Sequence, residues 1–356
     1  MIFRRALLKE FAGLSGAVFL TLFAIALTTQ LVRLLGQAAG GKIPSDAVVA
    51  FLGFFSLGIL PVLLSLTLFI AVLLTLTRSF RDSEMVIWFN SGLSLGAWLR
   101  PVLAFAFPVV AVIAVMSLLL TPWSAQMAER YRVHLATRDD VSRINPGVFG
   151  ESSSKDRVYF VESVSDGADL VKNVFVSSRQ HQKAGVMVSR TGRTETAENG
   201  DRFIVLEGGR RYEGTPGDAA FRVMEFDRYA MRIEVKEGAE PVPTQKNLST
   251  LALLNDPTPA NHGELVWRVG IPLSALILSL LAVPLSFVNL RAGQSTNLIF
   301  ALLAYMLYSN LLSVSQANVV QGRLSFAVGL WLIHGVMLLL LVLLISQRAR
   351  LLRLRR

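Results

Sequence analysis

Two glycine-rich segments come closest to the motifs that carry chemistry in other proteins. Residues 36–43 (GQAAGGKI) approach the phosphate-binding pattern GxxxxGK followed by Ser or Thr, but Ile43 has no hydroxyl to bind magnesium and no strand precedes the segment. Residues 92–96 (GLSLG) match the GxSxG pattern of a nucleophilic serine, but they lie between two long apolar runs rather than in a strand-to-helix turn. Neither segment therefore predicts an active site.

The histidines and cysteines offer no metal or redox centre either. The chain has no cysteine, and the spacing of its four histidines matches no metal site. His334 lies within an apolar run, where an ionisable group can mark function, but a neutral histidine hydrogen-bonded inside a helix bundle is the favoured interpretation. Without a catalytic constellation, the sequence predicts a protein that moves or binds something, is not an enzyme and binds no cofactor directly.

One loop, residues 78–99, combines bulky apolar side chains with an acid at helical spacing. Asp82 or Ser83 can cap a short helix, with Glu84 in its first turn. An apolar stripe on this helix would consist of Met85, Trp88, Phe89 and Leu93. Such a helix suits a groove on a soluble partner. It equally suits the membrane surface, with tryptophans as anchors, and the residues alone leave both possibilities open.

A basic residue at the end of one apolar run and a polar helix face in another are further candidates for binding. Arg33 ends the first apolar run and could bind an anionic head group, although on its own a snorkelling arginine is the favoured explanation. The fifth apolar run carries Tyr305, Ser309 and Gln316 on one face. Polar groups at membrane depth face helix partners or a cavity rather than lipid, so we do not expect this helix to be surrounded by lipid.

The elements that position these residues are membrane helices. The chain of 356 residues is 53% hydrophobic and 17% charged, with a mean hydropathy of +0.51. Six predominantly apolar stretches contain no Asp, Glu, Lys or Arg, and the shortest has 22 residues, whereas a helix needs about 20 to cross the hydrocarbon core. They are residues 11–32, 47–77, 101–128, 269–290, 292–322 and 324–347. The sequence therefore predicts an α-helical integral membrane protein with three helices before, and three after, an inserted domain.

The inserted segment, residues 129–268, holds 41 of the 60 charged side chains and reads as strands. Val, Phe, Tyr and Ile cluster between turn residues, which is typical of a sandwich, jelly roll or barrel. The predicted strands are residues 157–164, 170–178, 185–190, 202–207 and 220–235. We expect the domains to be residues 1–128, 129–267 and 268–356, the first including the loop 78–99 and the last a basic tail.

The orientation follows from basic residues that flank the apolar runs. Twelve lie on one side of the predicted membrane and only three on the other, namely Arg33, Lys42 and Arg323. Because basic flanks stay in the cytoplasm, both termini are expected there and the β domain outside. The high isoelectric point belongs to these flanks and does not indicate nucleic-acid binding.

Short stretches spread in order along the chain carry a family resemblance. They are residues 30–36 (QLVRLLG), 43–44 (IP), 83–84 (SE), 92–94 (GLS), 121–124 (TPWS), 145–147 (NPG), 160–163 (FVES), 208–214 (GGRRYEG) and 283–286 (VPLS). With the order of three spans, β domain and three spans, the chain resembles the lipopolysaccharide export permeases of the LptF/LptG family, and looks more like the LptF branch.

The resemblance implies a permease subunit of an ABC transporter in the bacterial inner membrane, which extracts lipopolysaccharide and passes it to a periplasmic bridge. It implies an LptG-like subunit as heterodimer partner, an LptB-like cytoplasmic ATPase dimer that uses the ATP, and an LptC-like protein that receives the lipid through β-jellyroll domains. The family's coupling acid falls at Glu84 and its substrate contact at Arg33. A second basic contact falls at Gln30, which is uncharged. The alternatives are a permease for another amphiphile and a membrane receptor with a β-rich ligand-binding domain.

Overall fold

The computed structural model describes residues 2–90, 95–136, 147–151, 157–164, 170–180, 183–196, 202–214, 221–232, 243–286 and 294–354. They belong to two compact units. The membrane unit comprises the residues up to Leu34, Val49–Glu129 and the residues from Pro243 onward. The second unit comprises Leu35–Val48 and Arg130–Val242, and it contains the strands.

The helices follow the apolar runs. They are α1 (Ile2–Ala39), α2 (Ala47–Arg81), α3 (Glu84–Asn90), α4 (Leu99–Val115), α5 (Thr121–Ala136), α6 (Thr250–Asn255), α7 (Pro259–Leu285), α8 (Gln294–Val320) and α9 (Phe326–Leu354). A 3₁₀ turn at Leu95–Trp98 precedes α4, and a π turn at Met116–Leu120 joins α4 to α5. Six helical stretches of the described chain are long and apolar enough to cross a membrane, which is the number of candidate membrane helices that the sequence predicts.

Helix α7 is the centre of the membrane unit, and it packs against α4, α8 and α9. Two glycines on α7 let α8 approach closely. A Cβ atom added at Gly263 would collide with Val320, and one added at Gly270 would lie 2.7 Å from Leu312 Cδ1. Small residues at helix contacts are the usual means of close packing in membranes, where helix association depends on van der Waals contact.

Helix α1 has the opposite character. Leu7, Phe11 and Leu34 are buried, but no residue from 12 to 33 is. Over this stretch the side chains of α1 are exposed or half-buried. Exposed apolar side chains on a membrane helix are suited to contact with lipid or with another subunit.

Helix α7 begins earlier than its apolar run suggests. Thr258 caps it by accepting a hydrogen bond from Asn261 N at 3.3 Å, and Pro259 occupies the first turn, where its missing N–H is not needed. The helix therefore starts ten residues before Val269, and its first turns contain Glu264 and Arg268. The third part of the membrane unit begins at Pro243.

The second unit contains one antiparallel sheet. Its strands are β1 (Phe149–Glu151), β2 (Arg157–Val164), β3 (Leu170–Gln180), β4 (Lys183–Thr196), β5 (Arg202–Gly214) and β6 (Phe221–Arg232). Strands adjacent in the chain are adjacent in the sheet, with registers such as Val161 opposite Val174. The residues buried against one another are Val161, Val171, Val174, Val176, Met187, Ile204 and Leu206. The predicted β domain is confirmed as an antiparallel sheet.

Candidate functional site

The loop after α2 folds into the short helix that the sequence predicts. Ser83 has a positive φ of 59°, which turns the chain sharply after α2 and lets α3 begin at Glu84. Glu84 is half-buried, and its Oε1 atom lies 3.6 Å from Arg78 NH2. This distance is an ion pair but too long for a hydrogen bond, so the carboxylate keeps oxygen lone pairs free to accept from another donor.

Arg78 binds a second acid more closely. Its NH2 group donates to Glu10 Oε2 at 2.8 Å, and its Nε atom lies 2.6 Å from Glu10 Oε1. Asp82 stands further away, with Oδ2 4.0 Å from Arg78 NH1. One guanidinium therefore bridges α1, the end of α2 and the start of α3. Sequence reasoning missed this contact, because Glu10 and Arg78 are 68 positions apart.

Two members of the apolar stripe of α3, Met85 and Trp88, face the chain's own interior. Met85 is 1% exposed and lies in the same buried cluster as Leu7, Phe11 and Trp98, with Trp88 packed against that cluster. Met85 therefore anchors α3 to its own membrane unit, and the expectation that it enters a partner's groove is revised accordingly. Ile87, by contrast, is 68% exposed. The side chain of Phe89 and residues 91–94, which include the serine of the GxSxG pattern, lie outside the described part of the structure.

Arg33 lies near the C-terminal end of α1 and is exposed. Within the described residues it forms no ion pair or hydrogen bond, so its guanidinium is available to a ligand from outside the chain. Gln30, one turn earlier, is half-buried.

The polar face of α8 divides between internal contacts and the surface. The Tyr305 hydroxyl donates to the carbonyl of Val62 on α2 at 3.2 Å, so this side chain ties two helices together. Ser309 and Gln316 are half-buried. Among the described contacts, none joins Arg33 to these three residues.

A neighbouring face of α8 makes buried hydrogen bonds to α9. The Tyr308 hydroxyl lies 2.6 Å from His334 Nδ1, and Ser315 Oγ donates to the carbonyl of Gly329 at 2.5 Å. Tyr308 and His334 are fully buried. The expectation of a hydrogen-bonded histidine inside the bundle is confirmed. Polar groups so paired add specificity to the contact of two apolar helices.

The first turns of α7 hold a polar cluster that sequence reasoning also missed. Arg268 is 1% exposed, and its Nε donates to Glu264 Oε1 at 3.0 Å. Its NH1 donates to Thr250 Oγ1 at 3.0 Å, and its NH2 donates to the carbonyls of Gln245 and Lys246 at 2.9 and 3.2 Å. Every nitrogen of the guanidinium thus has a partner, which is what allows a charge to be buried.

The π turn between α4 and α5 borders this cluster. Ser117 Oγ donates to the carbonyl of Arg268 at 2.8 Å, and Thr250 Oγ1 donates to the carbonyl of Leu118. A π turn leaves backbone carbonyls without regular helix partners, and here a side chain from α6 reaches one of them. The cluster joins the third and fourth spans to residues 243–250.

Metal chemistry has no support in the part of the chain that the structure describes, because no group of three or more His, Cys, Asp or Glu side chains converges there. The features that remain are an open helix surface with an arginine near one end and, at the other end, a short helix with a partly free carboxylate.

Comparison with known proteins gives the family. The family model described as "Lipopolysaccharide export system permease LptF/LptG" matches residues 5–347. The chain is 27% identical over 347 residues to "Lipopolysaccharide export system permease protein LptF" of Escherichia coli (strain K12), which covers 97% of this chain and 94% of that protein. Proteins of the same name from Escherichia coli O157:H7 and Shigella flexneri give the same values. With six membrane-length helices and an antiparallel sheet in the order expected, the protein belongs to the LptF/LptG family of lipopolysaccharide export system permeases.

Proposed function

We propose that the chain is a permease subunit that extracts lipopolysaccharide from the inner membrane and passes it to a periplasmic bridge toward the outer membrane. The observation that carries this beyond the family match is α1, which has no buried residue from 12 to 33 and exposes Arg33 near its C-terminal end. Lipopolysaccharide combines phosphates with a wide bundle of acyl chains. An open apolar helix with an arginine at the head-group level offers a surface for both parts.

The orientation that this function needs is the one favoured by the basic flanks. We propose that both termini are cytoplasmic and that the domain spanning residues 129–267 is a periplasmic, β-jellyroll-like domain. A reporter fused after Arg356 should be active only in its cytoplasmic format, and one inserted near Asn199 only in its periplasmic format. The reverse result at either position would overturn this orientation.

The energy source is proposed to be a separate subunit. The permease pairs with an LptG-like subunit, and the pair docks on a dimer of an LptB-like ATPase, which binds and hydrolyses the ATP. An LptC-like protein receives the lipid. Glu84 is the docking contact, since its carboxylate is half-buried on a short helix and is held only loosely, 3.6 Å from Arg78. A basic side chain of the ATPase would complete its hydrogen bonds.

The substrate contact is proposed at Arg33, with the half-buried Ser309 and Gln316 of α8 as polar neighbours of the path. Tyr305 supports that helix through its bond to Val62 rather than by facing lipid. We assign these two roles from the contacts that each side chain makes. Arg33 has no hydrogen-bond or ion-pair partner among the described residues, whereas the Tyr305 hydroxyl already has one.

Reconstitution tests the whole proposal. The permease pair, the ATPase and the LptC-like protein are placed in liposomes that contain lipopolysaccharide, and transfer of the lipid to a soluble acceptor is followed with and without ATP. Transfer that requires ATP and this chain supports the proposal. ATP-dependent transfer of a different anionic lipid in preference to lipopolysaccharide would favour a permease for another amphiphile. Assembly without any ATPase would favour the receptor.

A further inference from the structure

Near the cytoplasmic end of α1, Glu10 forms the only ion pair described for this helix. Its partner is Arg78, which also forms an ion pair with Glu84. Arg78 is hydrogen-bonded to Glu10 at 2.8 Å and stands 3.6 Å from Glu84. The three side chains are 41%, 31% and 43% exposed respectively, so none is locked in the interior. Half-exposed ion pairs contribute little to stability, and they can exchange partners without unfolding their surroundings.

Apolar contacts reinforce this junction. Leu7 and Phe11 of α1 are buried in one cluster with Met85 of α3, and the ring of Phe11 lies 5.3 Å from that of Phe105 on α4. From residue 12 to residue 33, α1 has no buried side chain. The buried side chains Leu7 and Phe11 therefore hold α1 at the place where Met85 holds α3. A displacement of α3 would act on α1 at these contacts.

Glu84 is the least tightly held carboxylate in the ion pairs described around Arg78. The ion pairs described at this junction join three carboxylates, those of Glu10, Asp82 and Glu84, to two guanidinium groups, those of Arg78 and Arg81. Glu10 accepts a hydrogen bond from Arg78 and Asp82 accepts one from Arg81, whereas no hydrogen bond is described for Glu84. A basic side chain from another subunit would pair with Glu84 more readily than with Glu10 or Asp82, because replacing Arg78 as the partner of Glu84 breaks no hydrogen bond.

We propose that Arg78 is a positioning residue that couples docking at Glu84 to α1. When a cation of the ATPase pairs with Glu84, Arg78 is left to Glu10 and Asp82, and the hold on the cytoplasmic end of α1 changes. The ATPase thereby acts on the helix that carries Arg33 through the pair of Glu10 and Arg78. This inference rests on the proposed function of Glu84 as the docking contact.

The test separates docking from coupling. Glu10→Gln removes the negative charge that pairs Arg78 with α1 and leaves Arg78 and Glu84 in place. Asp82→Asn is the matched control, because it makes the same chemical change beside Arg78 but touches no residue of α1. Each variant is assembled into the complete complex, and three quantities are measured: ATPase co-purification, ATP hydrolysis, and lipopolysaccharide transferred per ATP hydrolysed.

We expect Glu10→Gln to keep co-purification and hydrolysis within about twofold of the parent, as most surface substitutions do. Lipid transferred per ATP should fall by at least about fivefold, the lower range of coupling between sites. Asp82→Asn should keep all three quantities. If Glu84→Gln weakens co-purification but Glu10→Gln behaves like Asp82→Asn, the inference is wrong and the docking role of Glu84 stands. If Glu84→Gln changes nothing, both are wrong.

A covalent link provides the second arm in case Glu10→Gln disturbs assembly. The chain has no cysteine, so Glu10→Cys combined with Arg78→Cys creates the only thiol pair in this subunit. A bis-maleimide as long as the original ion pair joins the two positions. Both the unlinked double variant and the linked protein should transfer little lipid per ATP, because neither has a guanidinium that can shift from Glu84 to Glu10 when the ATPase docks. A linked protein that transfers lipid per ATP like the parent, with the ATPase still bound, would overturn the inference.

Discussion

Arg268 donates a hydrogen bond from Nε to Glu264 Oε1 at 3.0 Å, and the two residues, one helical turn apart on α7, are 1% and 7% exposed. Because the pair is buried, replacing both residues and replacing only one have different effects on stability. Replacing both partners by apolar groups of similar volume is often tolerated, whereas removing one leaves an uncompensated charge. The pair also aims the guanidinium at Thr250 and at two carbonyls of the preceding segment.

The first prediction concerns this pair. Arg268→Met should destabilise the protein by about 3–5 kcal/mol, since it leaves the Glu264 carboxylate buried without a partner. The measurement is thermal unfolding of the purified permease pair in detergent. Lys246→Met is the control, because Lys246 is exposed and offers Arg268 only its backbone carbonyl. Adding Glu264→Leu to Arg268→Met should recover part of the loss. An Arg268→Met protein that melts like the control would contradict the network's role.

The second prediction concerns the contact between α7 and α8. Gly270→Ala places a Cβ atom 2.7 Å from Leu312 Cδ1, which should force the helices apart and cost about 1–3 kcal/mol of stability. Leu312→Ala in the same chain makes room and should recover part of that loss. Gly13→Ala on α1 is the matched control, because nothing lies within 4 Å of its added methyl group. Equal melting of the two single variants would show that the helices do not meet at Gly270.

The third prediction concerns docking. Glu84→Ala should weaken binding of the ATPase by roughly 2–5 kcal/mol, the usual effect of removing one member of a desolvated charge pair at an interface. Titration of the purified ATPase onto the detergent-solubilised permease pair measures this. Ile87→Ala should have a smaller effect with the charge intact. Normal ATPase affinity and normal lipid export by Glu84→Ala would instead favour a helix that lies on the membrane surface.

The fourth prediction concerns lipid capture. Arg33→Glu should abolish crosslinking to lipopolysaccharide and Arg33→Ala should weaken it. Arg33→Lys should retain part, because lysine keeps the charge but lacks the planar fork that suits phosphate oxygens. The variants are compared at equal protein levels within assembled complexes. If Arg33→Glu assembles and still loads lipid like the parent, Arg33 only snorkels, and Lys42 or Arg323 becomes the next residue to test.

The sequence by itself determined the helices and strands of this protein, because their formation depends on the residue pattern within each segment. An uncharged apolar run longer than about 20 residues has no stable form in a membrane except a helix that satisfies its own backbone. The six runs therefore became helices. The β-rich composition between them became strands, and β2 occupies Arg157–Val164 as predicted. The strands β4 and β5 are longer than predicted, because the antiparallel pairing between them continues past glycine residues.

Only the tertiary structure decided which surface each side chain meets. The helical period placed Met85 and Trp88 on one face of α3, but period alone does not say whether that face meets a partner or the chain's own core. The same holds for charged residues. From the sequence, Glu264 and Arg268 resemble solvent-exposed linker residues, but in the structure Thr250 and two backbone carbonyls surround the guanidinium of Arg268. Glu10 and Arg78 lie 68 positions apart, and their contact exists because α1 packs beside the end of α2. Spacing along a chain determines local form, whereas such contacts depend on the packing of distant helices.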